Sequence, residues 1–398
     1  MYKKRIAAYC LTVALVLGNS FAVYATEADA AAGAASDTSA SKTVAETVAG
    51  LDFYGSTISL TLEQALDAAL TSGSSIKAAE LQKESDTANA KSNSESYSDM
   101  NASNKDPDSD VSYSKSEMEK AQKAKEYYNS MAERNYQAAK NTITYNITGA
   151  YYSLLNAEEG VRITKENVRL QQELLTLVEQ KLSLGVASKQ EVLESEISLN
   201  SAQSSLHSAE VSLAEKKISF NIALGYDEMQ DVNLTSNLET VELPELTVEQ
   251  AVADALANRN ELYTAAFNIY TAQKELNNYV SYPKSSATYL MAYKNCNSAQ
   301  NSYNTKESQL KQEVRIDYAD MISAKVTAEN ASVNVDKAKE SYTISMEKYK
   351  LGLATANDVQ KAQISLYEAE KSYAETILAF NLSTITYEMS ATVGMGSY

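Results

Sequence analysis

Two rows of residues, each spaced by sevens, run through the middle of the chain and return 167 positions later. The first row is Ile147, Leu154, Val161, Val168, Leu175 and Leu182, and the second is Val192, Leu199, Leu206, Leu213 and Phe220. Their counterparts are Val314, Met321, Ala328, Val335, Tyr342 and Tyr349, then Val359, Leu366, Tyr373, Phe380 and Tyr387. A seven-residue apolar period keeps one stripe on one face of a helix, which is the pattern of supercoiled helices. A strand would scatter the same row over both of its faces, because its side chains alternate. The chain is thus committed to long helices packed side by side, in two tandem copies.

Helix breakers agree with the rows. Neither Gly nor Pro occurs from Lys284 to Leu351, and only Gly149 and Gly160 interrupt Asp108 to Leu184. Ala, Leu, Glu, Lys and Gln fill these stretches, and all favour helix. A helix from Ser114 to Ser183 would be on the order of 100 Å long. A second row of small residues, Ala150, Ala157, Ser195, Ala202, Ala209, Ala362 and Ala369, marks another flank. Small side chains there let each helix approach a second neighbour. That favours a sheet of helices rolled into a cylinder over a two-stranded coiled coil.

The starts of the halves also repeat. "LTLEQALDAAL" from Leu60 matches "LTVEQAVADAL" from Leu246, an offset of 186. Thr61 and Thr247, each followed two residues on by Glu63 or Glu249, are predicted helix N-caps. The offset falls from 186 to 167, which places 19 extra residues in the polar region of the first half around Pro107.

Each pair of rows is joined by a turn: "KLSLGVASKQEVLESEISL" from Lys181 and "KYKLGLATANDVQKAQISL" from Lys348. Gly185 and Gly352 supply the positive backbone angle that ends a helix. Leu184 and Val186, or Leu351 and Leu353, then stand at the tip. Two readings are open: these side chains staple their own turn shut, or they form an apolar docking surface for another protein.

Outside the rows, Lys3, Lys4 and Arg5 precede the apolar run Ile6 to Gly18, and Val23-Tyr24-Ala25 offers small residues at a cleavage site. Residues 1–25 read as a signal peptide, so the expected location is the cell envelope. Cys10 does not sit in a lipoprotein cleavage box. Residues 26–57 are rich in Ala, Ser and Thr and read as a flexible linker. Residues 58–243 and 244–398 are the two repeats. No later apolar run is long enough for a membrane-spanning helix.

The net charge of −17 disfavours nucleic acid and anionic lipid headgroups as partners. His207 is the only histidine and Cys296 the only cysteine beyond the signal peptide. With no phosphate loop or nucleophile elbow either, we expect no metal site, no cofactor and no enzyme activity. His207 is expected on a helix surface and Cys296 as an unreactive thiol.

The doubled Leu-Thr-x-Glu-Gln-Ala starts, the two Leu-Gly tips, the "ISLNSAQSSL" and "ISLYEAEKSY" segments that follow them and "FNIALGYD" together resemble the TolC family of outer-membrane efflux proteins. The resemblance covers about residues 58–394. It implies an all-α fold of two tandem antiparallel coiled-coil hairpins, three copies of which form a hollow α-barrel. It also implies an exit-duct role in a tripartite efflux or type I secretion system. The partners would be a membrane-fusion adaptor and, through it, an ABC transporter. By resemblance, Leu184, Gly185, Val186, Leu351, Gly352 and Leu353 would contact the adaptor.

In this family the closed entrance is held by an acid, a tyrosine and an arginine. Glu191 matches the acid and Tyr349 the tyrosine, while Ala354 stands at the arginine position. Asp358 matches one position of an acidic ring, and Lys361 stands at the next. The membrane barrel of the family is the larger departure. Residues 92–120 have no alternating apolar row, and the stretch after Tyr279 has room for one short strand, around Ala287–Tyr293. We therefore expect helix–helix turns at Pro107 and Pro283 and no full β-barrel. The alternative is an extracytoplasmic coiled-coil spacer with no transport role.

Overall fold

The computed structural model describes residues 44–48 and 50–396. The expected signal peptide and the expected linker up to residue 43 lie outside the described residues. Residues 42–398 form one compact unit that contains both repeats.

The first repeat runs β1 (Val44–Val48), β2 (Leu51–Leu60), α1 (Leu62–Ser72), α2 (Ser74–Lys105), α3 (Lys115–Ser183), α4 (Lys189–Leu224) and β3 (Gln230–Leu234). The second runs α5 (Val248–Asn258), α6 (Asn260–Asn278), α7 (Ala287–Lys350) and α8 (Ala356–Ser390). The described residues are thus predominantly helical, as the heptad rows require. α3 has 69 residues and α7 has 64, so each is on the order of 100 Å long. The 19 extra residues of the first half are located. α2 outruns α6 by 13, α3 outruns α7 by five, and the upper turn is one residue longer.

Helix starts are fixed by side chains. Thr61 and Thr247 are N-caps, each in a reciprocal capping box. The partners are Gln64 and Gln250, one residue past the glutamates expected from the sequence; at the third helical position the side chain reaches back to the cap N–H. Ser114 and Glu117 do the same for α3.

The long helices lie in a layer. In its lower half α3 packs between α4 and α8, and α7 packs on the far side of α8. In its upper half α3 packs against α2 on one side and α6 on the other, and α6 packs against α7. α3 and α7 therefore run the full height, while α2 sits above α4 and α6 above α8. The heptad rows form the seams: Leu154, Val161, Leu213, Phe220, Val314, Met321, Phe380 and Tyr387 are all buried. Each large apolar side chain buried this way contributes about 2 kcal/mol. The small row is buried at Ser195, Ala202 and Ala362, where a neighbouring helix comes close.

At the middle of the layer β2 pairs antiparallel with β1 and parallel with β3. This corrects the linker reading of residues 44–57, which supply β1 and most of β2. Phe53 and Leu60 of β2 are buried although seven residues apart. An odd separation puts both on one face only because the register shifts between Tyr54 and Ile58, beside Gly55 at φ +95°. Beneath Phe53, Lys217 of α4 and Asp231 of β3 form a buried ion pair at 3.6 Å, and Thr57 donates to Asp231 at 2.5 Å.

Both upper ends are helix–helix turns, at 106–114 and 279–286, with Pro107 and Pro283 inside them. The strand allowed for around Ala287–Tyr293 is instead the first two turns of α7, started by the Ser286 hydroxyl accepting from the Tyr289 N–H. Among the described residues, β1–β3 form the one sheet. After α8 the chain turns back over α3. Gly396 N donates to Ala138 O at 3.0 Å, and the Asn141 amide donates to Gly394 O at 3.0 Å.

Candidate docking site at the hairpin tips

The lower ends of α3 and α7 are built alike. Val186 N donates to Lys181 O at 2.9 Å and Gly185 N to Leu182 O at 2.9 Å. In the second repeat Leu353 N donates to Lys348 O at 2.8 Å and Gly352 N to Tyr349 O at 3.0 Å. This double closure needs a left-handed residue between its two donors, and Gly185 and Gly352 have φ of +73° and +76°. Ser188 and Thr355 then cap α4 and α8, with the Glu191 and Asp358 side chains reaching back to them.

In this turn type the apolar residue after the glycine commonly folds onto the helix three residues before the cap. Here those positions are Lys181 and Lys348, which give it no apolar partner. Leu184, Val186, Leu351 and Leu353 stand 77%, 71%, 74% and 75% exposed. A staple would cover them; nothing in their own turns does.

The two tips share one core. Leu174, Leu175, Val178, Val192, Leu199, Tyr349, Ala356 and Val359 cluster directly above them. Lys181 ties the hairpins together, donating to the Tyr349 carbonyl with its ammonium 3.7 Å from the Tyr349 ring centroid. This tie escaped the sequence reading, although lysine at the matching place in both repeats was its visible trace.

The residues matched to the family's gate by resemblance are partly brought together. Tyr349 is buried, and its hydroxyl finds no partner among the described residues. Burial raises its pKa, and the nearby Glu191 carboxylate adds to the rise. Glu191 accepts from Ser188 N at 2.8 Å. Asp358 is held below the usual carboxylate range by the Thr355 backbone N–H and hydroxyl. Both acids therefore have local capping work at the first turns of their helices. Away from the tips, His207 is exposed, while Cys296 is buried and donates to the Gln273 side-chain oxygen at 3.3 Å.

No family model and no curated protein matches the sequence. Several solved structures match the fold. A membrane protein from Pseudomonas aeruginosa superposes with a TM-score of 0.66 at 14% identity, covering 84% of this chain and 90% of its own. The outer membrane protein VceC of Vibrio cholerae gives 0.63 at 16% identity, covering 84% and 97%. The MtrE outer membrane channel of Neisseria gonorrhoeae, in its open state, gives 0.61 at 15% identity, covering 85% and 90%. At these identities the likeness establishes the fold alone: the chain shares the long-helix architecture of these membrane and outer-membrane channel proteins.

Proposed function

We propose that this chain is the exit duct of a tripartite efflux or type I secretion system. It is exported to the cell envelope, closes into a homotrimeric helical cylinder, and docks through its tips onto a membrane-fusion adaptor that couples it to an ABC transporter. The observation that carries the reading is the pair of matched apolar turns, four aliphatic side chains more than two-thirds exposed below one shared core. Residues that cost stability in water when left bare are expected where a partner covers them.

Closure of the cylinder is supported by the two edges of the layer. α4 exposes Leu193, Ile197, Val211 and Ile222, and α7 exposes Ile316, Val326, Val333 and Ile344. The two helices run in opposite directions from tips at Gly185 and Gly352. Matching distance from the tip sets Leu193 against Ile344, Ser204 against Val333, Val211 against Val326 and Ile218 against Ala319. An edge that fits a different edge of the next copy generates a ring when the rotation closes. Sedimentation should show a species larger than one chain. Val211→Lys and Val326→Glu should each dissociate it, and the two together should restore it.

The docking test replaces Leu184 and Leu351 with Asp. An unpaired carboxylate buried at an interface costs several kcal/mol, while in water it costs little. Adaptor pull-down should be lost with melting unchanged. Retained pull-down removes the docking role and leaves the spacer reading in its place. The entrance gate is assigned to Glu191, Tyr349 and Asp358, supported by the Glu191–Tyr349 proximity and the unpartnered Tyr349 hydroxyl. Tyr349→Phe should raise leak through the assembled efflux system; an unchanged leak removes the gate.

A further inference from the structure

The end opposite the tips carries a surface that the duct reading does not use. The turn between α6 and α7 and the first turns of α7 leave Val280 67%, Tyr282 49%, Leu290 49%, Met291 66% and Tyr293 48% exposed. Four of the 27 tyrosines of the chain, Tyr279, Tyr282, Tyr289 and Tyr293, fall within these 15 residues. They are paired as rings, Tyr279 edge-on to Tyr282 at 5.4 Å and Tyr289 stacked on Tyr293 at 6.2 Å. In a chain of net charge −17, the 31 residues between Glu275 and Glu307 contain no acid and three cations, Lys284, Lys294 and Lys306. Lys284 and Lys294 are exposed beside the apolar side chains.

We infer that this turn docks on a bilayer surface bearing anionic headgroups. Aliphatic side chains at an apex gain from acyl chains, and tyrosine places its ring at the headgroup level with its hydroxyl in water. Each lysine close to such a surface adds attraction to anionic lipid. A sugar polymer would use the tyrosines but has no use for Val280 and Met291. The elements at this end are helices and a turn, and no helix among the described residues is long and apolar enough to cross a membrane. Asp106, Asp108 and Asp110 on the neighbouring turn oppose an anionic surface, which confines the contact to the second repeat.

The chain has no tryptophan, so Val280→Trp installs a single reporter at the apex and Leu184→Trp one at the far end. Both are made in the full chain, so any lipid affinity of its first 43 residues is common to the two. With vesicles of phosphatidylcholine and phosphatidylglycerol, the Val280→Trp emission should shift to the blue and be quenched by brominated acyl chains, while the Leu184→Trp emission should do neither. Lys284→Glu with Lys294→Glu should lower the partition at least about tenfold, with circular dichroism unchanged. Emission from Val280→Trp that ignores vesicles overturns the inference. So does a blue shift that needs no lipid and grows with protein concentration, since the apex would then be covered by a second copy.

Discussion

The Lys217–Asp231 pair permits a test of how the middle of the layer is held. Both side chains are almost fully buried, at 5% and 6% exposure, and they join α4 to β3 under Phe53. At 3.6 Å, with the effective dielectric of about 20 that suits protein sites, their attraction is about 4.6 kcal/mol. Desolvating the two charges costs several kcal/mol each, so the pair as a whole is close to neutral for stability. Removing one partner deprives the other, still buried, of this counterion, and the expected cost is up to about 3 kcal/mol for either Lys217→Met or Asp231→Asn. The amide that Asp231→Asn introduces retains an acceptor for the Thr57 hydroxyl, so the double variant should lose only about 1–2 kcal/mol. The coupling energy of the cycle is then about 4 kcal/mol, in line with the Coulomb figure. Urea unfolding followed by circular dichroism measures all four corners, and hydrogen exchange in residues 230–234 locates the loss in β3. Singles that add to the double, or singles that cost less than about 1 kcal/mol, would refute the argument.

Three further outcomes follow from the geometry. Gly185→Ala and Gly352→Ala meet no neighbouring atom within 4 Å, so their cost is the left-handed backbone alone, about 1–2 kcal/mol each by thermal melting. Gly160→Ala also meets nothing within 4 Å but lies inside α3, and should stabilise by about 0.5–1 kcal/mol. Burial, with Glu313 and Asp320 nearby, raises the Asp317 carboxyl to about 6, above the value of about 4 in an unfolded chain. Between those values the folded chain binds more protons, so stability falls as pH rises through that window. Asp317→Asn should therefore gain about 1–2 kcal/mol at pH 7.5, allowing for partial exposure, and nothing at pH 3.5; equal gains at both would exclude the mechanism.

The long helices and their two turns were legible because their determinants are local and periodic. A heptad row announces its buried face wherever it occurs, and Gly185 and Gly352 mark their turns from a single position each. The sheet was not legible. β3 is five residues long and pairs with β2 some 174 positions away, so no neighbouring residue signals it. In β2 the bulge beside Gly55 moves the buried side from Phe53 to Leu60 across an odd spacing, which erases the alternation that identifies a strand. Tip exposure was undecided for a similar reason: whether Leu184 folds onto its turn depends on Lys181 one turn back, and on nothing in the leucine itself. Glu191 and Asp358 matched a gate pattern by position, yet their spacing from Ser188 and Thr355 also wrote a capping box, and the sequence held both meanings at once.

The unequal continuity of the helices has a mechanical consequence. α3 and α7 pass through the middle of the layer unbroken, whereas α4 and α8 stop there, α4 leading into β3 and α8 being the last element among the described residues. A push at one end is carried to the other by two rods per chain, while the remaining helices act as struts hinged at the waist. Below that hinge α4 has 36 residues, a lever of about 54 Å. A tilt of about 5° would move the tip by about 5 Å, so a sub-ångström adjustment among Lys217, Asp231 and Thr57 would be geared up into a far larger displacement at the far end.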